Sequence, residues 1–300
     1  MARFSFPFVQ LAAAAGAAAM VAFGQWLGAR EAARPEPEGR AQARIELGMV
    51  DARSTPPRSA AAMPASQNST DADAVSGGSA RPRLSVIIDD VGHDPALARA
   101  LMTLPVTLAV LPYAAAAPQI AAEARTAGRE VFIHLPMEPA GLDDPGPGAV
   151  TTGLGAAEIE ARIDRALARV PGAAGLNNHM GSRATRDVAV MEAVFASLAG
   201  SELVFVDSLT HPGSLAREAA LGAGLAAFDR DIFLDSPGAD PAVQLEMAIL
   251  RALETGRAIA IGHPYPATIE ALESLQGKAD AAGVDLVPVA DLAARRAPPS

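Results

Sequence analysis

Asp89-Asp90, His134, Asn177-Asn178-His179, Asp207-Ser208 and His263 are the groups in this sequence whose types and placing suit catalysis. Each follows a short apolar run: LSVII leads into the aspartate pair, VFI into His134, VFV into Asp207 and AIAIG into His263. Runs of this length, rich in β-branched residues, read as strands buried on both faces of a parallel sheet. Polar groups where such strands stop lie at the carboxyl ends, where α/β folds build their sites. Adjacent strand residues point to opposite faces, so Asp89 and Asp90 are expected to diverge and hold different jobs.

Carboxylate and imidazole without thiolate suit zinc, or another divalent transition metal, with a position left open for water. Such an ion lowers the pKa of water and polarises a carbonyl oxygen. A second aspartate can then serve as general base and a histidine across the site as general acid. The chain has no cysteine, which excludes disulfides, thiolate metal sites and cysteine nucleophiles. It also lacks a G-x-S-x-G elbow, which argues against a serine hydrolase. A two-carboxylate glycosidase using Asp89 or Asp90 with Glu138 or Asp207 leaves the histidines without a purpose.

The elements that must position these groups follow from residue 84 onward. Strands are expected at residues 84–88, 106–111, 130–135, 174–178, 202–206, 225–228, 232–234, 258–261 and 285–288. Helices alternate with them over 115–127, 156–170, 186–199, from 214, over 241–255 and from 268. Seven or eight strand–helix alternations imply a parallel sheet with right-handed crossovers. The fold class is therefore α/β, a distorted (β/α)7-8 barrel whose strand ends share one rim. No glycine-rich phosphate fingerprint follows the first strand, which weakens a nucleotide-binding reading.

Residues 4–29 carry no charge and are rich in Ala, Phe and Val, long enough to cross a bilayer. Residues 1–30 are thus expected to be a signal anchor or signal peptide. Residues 31–80, punctuated by Pro, Ser, Gly and Ala, read as a disordered linker, and residues 81–300 as the barrel domain. This order predicts a domain facing outside the cytoplasm, anchored to the inner membrane or periplasmic. A net charge of −10 leaves no electrostatic footprint for nucleic acid. That balance, with no Lys/Arg cluster near the rim blocks, also argues against a highly anionic substrate.

Five blocks in order, IIDDVG at 87–92, HLPMEP at 134–139, NNHMGS at 177–182, DSLT at 207–210 and IGHPYPATI at 261–269, resemble the divergent polysaccharide deacetylase family. The resemblance covers roughly residues 83–296. It implies the barrel of carbohydrate esterases, which use a divalent metal to remove acetyl groups from glycans. It implies Asp89 as catalytic base, Asp90 as metal ligand and His263 as catalytic acid. The His-x-x-x-His metal motif of that superfamily is absent here, so His134 and His179, on different strands, are expected to supply the two imidazoles. The arginine motif that tunes the base is also missing, with Arg183 the nearest substitute. Asn177, Asn178, Asp207 and Ser208 are the expected substrate-binding groups. The function so implied is metal-dependent deacetylation of a carbohydrate in the cell envelope, with zinc the expected metal and glycan the partner. The alternative is a non-catalytic envelope module that binds glycan or a protein.

Overall fold

The structure, a computed structural model, describes residues 81–293. The expected membrane segment and linker lie outside the described residues. Among those described, no helix is long and apolar enough to cross a membrane.

The chain alternates strand and helix in this order: β1 (Arg83–Val91), α1 (Pro95–Leu101), β2 (Thr107–Val110), α2 (Ala117–Thr126), β3 (Val131–Met137), α3 (Ala156–Arg169), β4 (Gly175–Met180), α4 (Val188–Ala196), β5 (Val204–Asp207), α5 (Ala216–Gly222), β6 (Ala226–Asp229), β7 (Ile232–Phe233), α6 (Pro241–Thr255), β8 (Arg257–Gly262), α7 (Pro266–Glu273), α8 (Leu275–Ala282), β9 (Asp285–Leu286) and α9 (Val289–Ala293). Local chemistry sets several starts. Asp94 caps α1, accepting from the amides of Ala96 and Leu97 at 2.9 and 3.1 Å, and Asp240 caps α6, with a proline opening each helix. The helix expected from residue 268 starts at Pro266 and breaks into α7 and α8 at Ser274.

All pairings are parallel, in the order β6-β5-β4-β3-β2-β1-β8-β7, with β9 beside the start of β1. The terminal strands β6 and β7 follow one another in the chain but do not pair, so the sheet curls into an open barrel. Strand alternation divides its core in two. Leu84, Val86 and Ile88 point outward, beneath the helices with Leu108, Val110, Val131 and Ile133. Ile87, Ala109, Phe132, Val204, Val206, Ile259 and Ile261 point inward, with Val289 and Leu292 of α9 closing the interior. Continuing that inward parity past each apolar run brings Asp89, His134, Asn177, His179, Ser208 and His263 to the mouth.

β1 does not stop at residue 88 as expected. It runs through both aspartates to Val91, and its register against β2 slips: Ile88 pairs with Leu108 but Val91 with Val110. The one extra residue is a bulge, and Asp90 takes a left-handed conformation there, with φ 57°.

Candidate metal centre

The bulge overturns the expected divergence of Asp89 and Asp90. Simple alternation turns Asp90 toward the helices, whereas the left-handed residue swings it back over the mouth. Both carboxylates then face one imidazole: His134 Nε2 lies 3.6 Å from Asp89 Oδ2 and 3.3 Å from Asp90 Oδ1. His179, next along the rim on β4, brings its Nδ1 to 3.0 Å from the same Oδ1 of Asp90 and 3.1 Å from His134 Nε2.

Three donor atoms thus stand 3.0–3.3 Å apart. Donors on a tetrahedral metal at about 2.0–2.1 Å stand about 3.3–3.4 Å from one another, so the triad has close to the right size. Among the described residues, Asp90 Oδ1 is buried without a well-aligned hydrogen-bond partner. A buried acceptor in that condition, facing two imidazole nitrogens, fits a cation. The three residues form a group able to hold a metal.

Asn177 sets the orientation beneath them. Strand register places it beside His134. Its Oδ1 accepts from His134 Nδ1 at 2.9 Å, and its Nδ2 donates to Asp89 Oδ1 at 2.7 Å and Ser208 Oγ at 3.3 Å. With the proton on Nδ1, His134 Nε2 presents a lone pair to the triad. Burial pushes the Asp89 carboxyl above its usual range, partly offset by His134 and Asn177. Burial also opposes ionisation of Asp90, but contacts with His134 and His179 outweigh it and hold that carboxyl well below the usual range.

His263 faces the triad from β8, its Nε2 3.8 Å from Asp90 Oδ2. Asp235, which sequence reading missed, fixes it. Asp235 Oδ1 accepts from His263 Nδ1 at 3.0 Å, while Oδ2 accepts from the His263 amide at 2.6 Å and Thr268 Oγ1 at 2.9 Å. Burial lowers the His263 pKa, but the Asp235 contact and the charges of Asp89 and Asp90 raise it overall. The signal for Asp235 was available: Asp235-Ser236 closes a short apolar strand just as Asp207-Ser208 does.

The expected substrate-binding groups are placed beneath the rim rather than on its open surface. Asn177, Asn178, Asp207 and Ser208 are all buried. Asn178 and Asp207 have outward parity, and both brace strained turns. Met180 and Leu209 are left-handed, with φ 55° and 47°. Asn178 donates to Met180 O at 2.8 Å and accepts from the Ser208 amide at 2.9 Å. Asp207 accepts from the Leu209 amide at 2.8 Å and Ser214 Oγ at 2.6 Å. Arg183 does not tune the base; it pairs with Glu138 at 3.2 Å. The cation nearer Asp89 is Arg230, whose Nε donates to Ser208 O at 3.0 Å. Glu138 is further tied to Thr152 N and Oγ1, at 2.7 and 2.8 Å, and Asp207 faces away from the mouth, so neither completes a glycosidase pair.

Comparison with known proteins shows the family and the fold. Residues 86–293 match the family model described as divergent polysaccharide deacetylase. The uncharacterized protein YibQ of Escherichia coli is 38% identical over 197 residues, 64% of this chain and 62% of that protein's length. An uncharacterized protein of Haemophilus influenzae is 38% identical over 199 residues, 65% of this chain and 71% of its own. The crystal structure of an uncharacterized protein from Agrobacterium tumefaciens superposes with a TM-score of 0.68 at 22% identity, covering 72% of this chain and 90% of that one, a likeness of fold.

Proposed function

The chain belongs to the divergent polysaccharide deacetylase family, and from that premise we propose that it is a metal-dependent hydrolase removing acetyl groups from a carbohydrate. The observation that carries this reading is the triad of Asp90 Oδ1, His134 Nε2 and His179 Nδ1, flanked by Asp89 and His263. These three residues would hold the metal, zinc by the chemistry of the donor set. A metal bound there polarises the acetyl carbonyl and acidifies the attacking water.

The remaining steps belong to side chains. Asp89, with its raised pKa, takes a proton from water as the water oxygen attacks the carbonyl carbon. His263, held by Asp235, delivers the proton on Nε2 to the departing nitrogen or oxygen as the carbon–heteroatom bond breaks. Acetate and the free amine or hydroxyl result. Asn177 keeps His134 in its ligating tautomer, and Asn178, Asp207 and Ser208 support the floor. On this reading residues 4–29 tether the domain to the membrane, with the barrel outside the cytoplasm meeting envelope glycan.

Elemental analysis after purification without chelator or affinity metal, with acetate release from acetylated oligosaccharides, tests the proposal. The wild type should retain about one zinc per chain. Asp89→Asn should keep the metal but stop acetate release, and a His134→Ala/His179→Ala double variant should lose both. Metal retention without acetate release from any glycan would favour the binding module. No metal after reloading would overturn the site assignment.

A further inference from the structure

One face of α3 carries Arg162, Arg165 and Arg169, spaced three and four residues apart. The five sequence blocks do not include this helix, but the fold sets its arginine face against the rim. The side chains of these three arginines line part of a cavity of about 220 Å³ whose other wall includes Tyr113, Pro136 and Gly148. Pro136 lies two residues beyond His134 on β3, about 7 Å along the strand. Tyr113 lines the cavity and lies near enough to Asp90 to feel its charge. Burial, and the nearby charges of Asp90 and Asp144, raise its pKa, which keeps the hydroxyl protonated. The loop from β3 to α3 presses on its ring, since a Cβ on Gly146 would stand 2.7 Å from it.

The charges around this cavity do not balance. Glu158 Oε1 serves both Arg162 and Arg165, at 3.0 and 3.1 Å. Arg169 donates to the carbonyl oxygens of Pro112, Ala114 and Ala115 at 3.1, 2.7 and 3.3 Å. Arg162 also holds Ala149 O. Asp144 lies on the Tyr113 side and accepts from the Gly146 amide at 2.9 Å. Arg162 and Arg169 therefore fix the walls. Arg165, with 61% of its side chain exposed, pairs through Nη2 with Glu158, and among the described residues its Nε and Nη1 donors have no protein partner.

We propose that this cavity is a subsite for an oxyanion, a carboxylate or phosphate carried by the glycan beside its acetyl group. The inference rests on the deacetylase reading for its substrate but not for its test. The full chain, stripped of metal by chelator, is titrated calorimetrically with inorganic phosphate and, separately, with lactate. Saturable binding is expected, about tenfold weaker in Arg165→Ala, as for loss of one charge-assisted contact, and abolished in Arg165→Glu. His134→Ala should bind the anions as the wild type does. Binding of phosphate alone assigns the subsite to a phosphorylated glycan; binding of lactate alone assigns it to a carboxylated one. If neither anion saturates, or both Arg165 variants bind like the wild type, the subsite is overturned. Neither titration depends on metal or turnover, so an inactive protein that binds anions refutes the deacetylase reading while leaving the subsite. A protein active on neutral glycans that binds neither anion does the reverse.

Discussion

Replacing Asn177 by alanine isolates what holds the candidate metal ligands in place. The amide makes three contacts: to His134 Nδ1 at 2.9 Å, Asp89 Oδ1 at 2.7 Å and Ser208 Oγ at 3.3 Å. Losing the first frees the His134 ring to take the other tautomer, which turns an N–H toward Asp90 and removes the lone pair. Supports of this kind are typically worth about 10–100-fold in metal affinity, roughly 1.4–2.7 kcal/mol. Losing the second strips a buried carboxylate of a donor worth about 1.5–3 kcal/mol, a cost expected in stability rather than affinity. Asn177→Asp separates the two effects. It retains an acceptor for His134 Nδ1–H but sets a second carboxylate against Asp89, so it should keep near-normal affinity and lose stability. Competition with a chromophoric zinc chelator at neutral pH measures affinity, and circular dichroism confirms the fold. If folded Asn177→Ala binds zinc as tightly as the wild type, the contact does not select the tautomer and the argument fails.

Asp235→Asn should retain zinc yet reduce acetate release by about 10²–10⁴-fold, the range of a general acid's contribution; undiminished kcat would show that His263 needs no such partner. Gly175→Ala should destabilise the domain by about 1–3 kcal/mol through overpacking, a fall of roughly 2–12 °C in Tm for a domain of this size. Its Cβ would meet the carbonyl oxygen of Val204 at 2.3 Å and the Phe132 ring at 2.5 Å, and a backbone atom cannot yield as a side chain does; an unchanged Tm contradicts that packing. Burial raises the Asp207 pKa, partly offset by Ser214 and Leu209. A carboxyl with its folded pKa raised favours folding below its ordinary pKa and loses that contribution as pH rises. The Tm of metal-free Asp207→Asn should therefore gain on the wild type from about pH 4 upward, and a constant difference across that range would count against the shift.

The barrel was legible because its strands announce themselves: VFI, VFV and AIAIG are too short and too β-branched for helices, and helical stretches separate them. Parity carried further than the strand assignments alone. Counting in twos from Ile87, Phe132, Val206 and Ile261, all interior residues, gives Asp89, His134, Ser208 and His263 the inward face. The same count turns Asn178 and Asp207 outward, and the structure uses them to brace Met180 and Leu209. Asp90 is the exception. Its bulge arises from a register slip between β1 and β2, set by pairing with residues some twenty positions away, which no local pattern encodes. Nor does an aspartate advertise a left-handed backbone, a conformation costing about 1–3 kcal/mol that persists only where surrounding structure overdetermines it. Asp235 closes the apolar run 232–234 as the other site groups close theirs, but its part shows only once β7 pairs with β8 and sets its carboxylate against His263. The arginines of α3 were visible but lacked meaning until the fold set that helix against the rim. What the sequence hid, then, was not the chemistry of the groups but the tertiary pairing that turns neighbouring aspartates, one obeying alternation and one breaking it, toward a single imidazole.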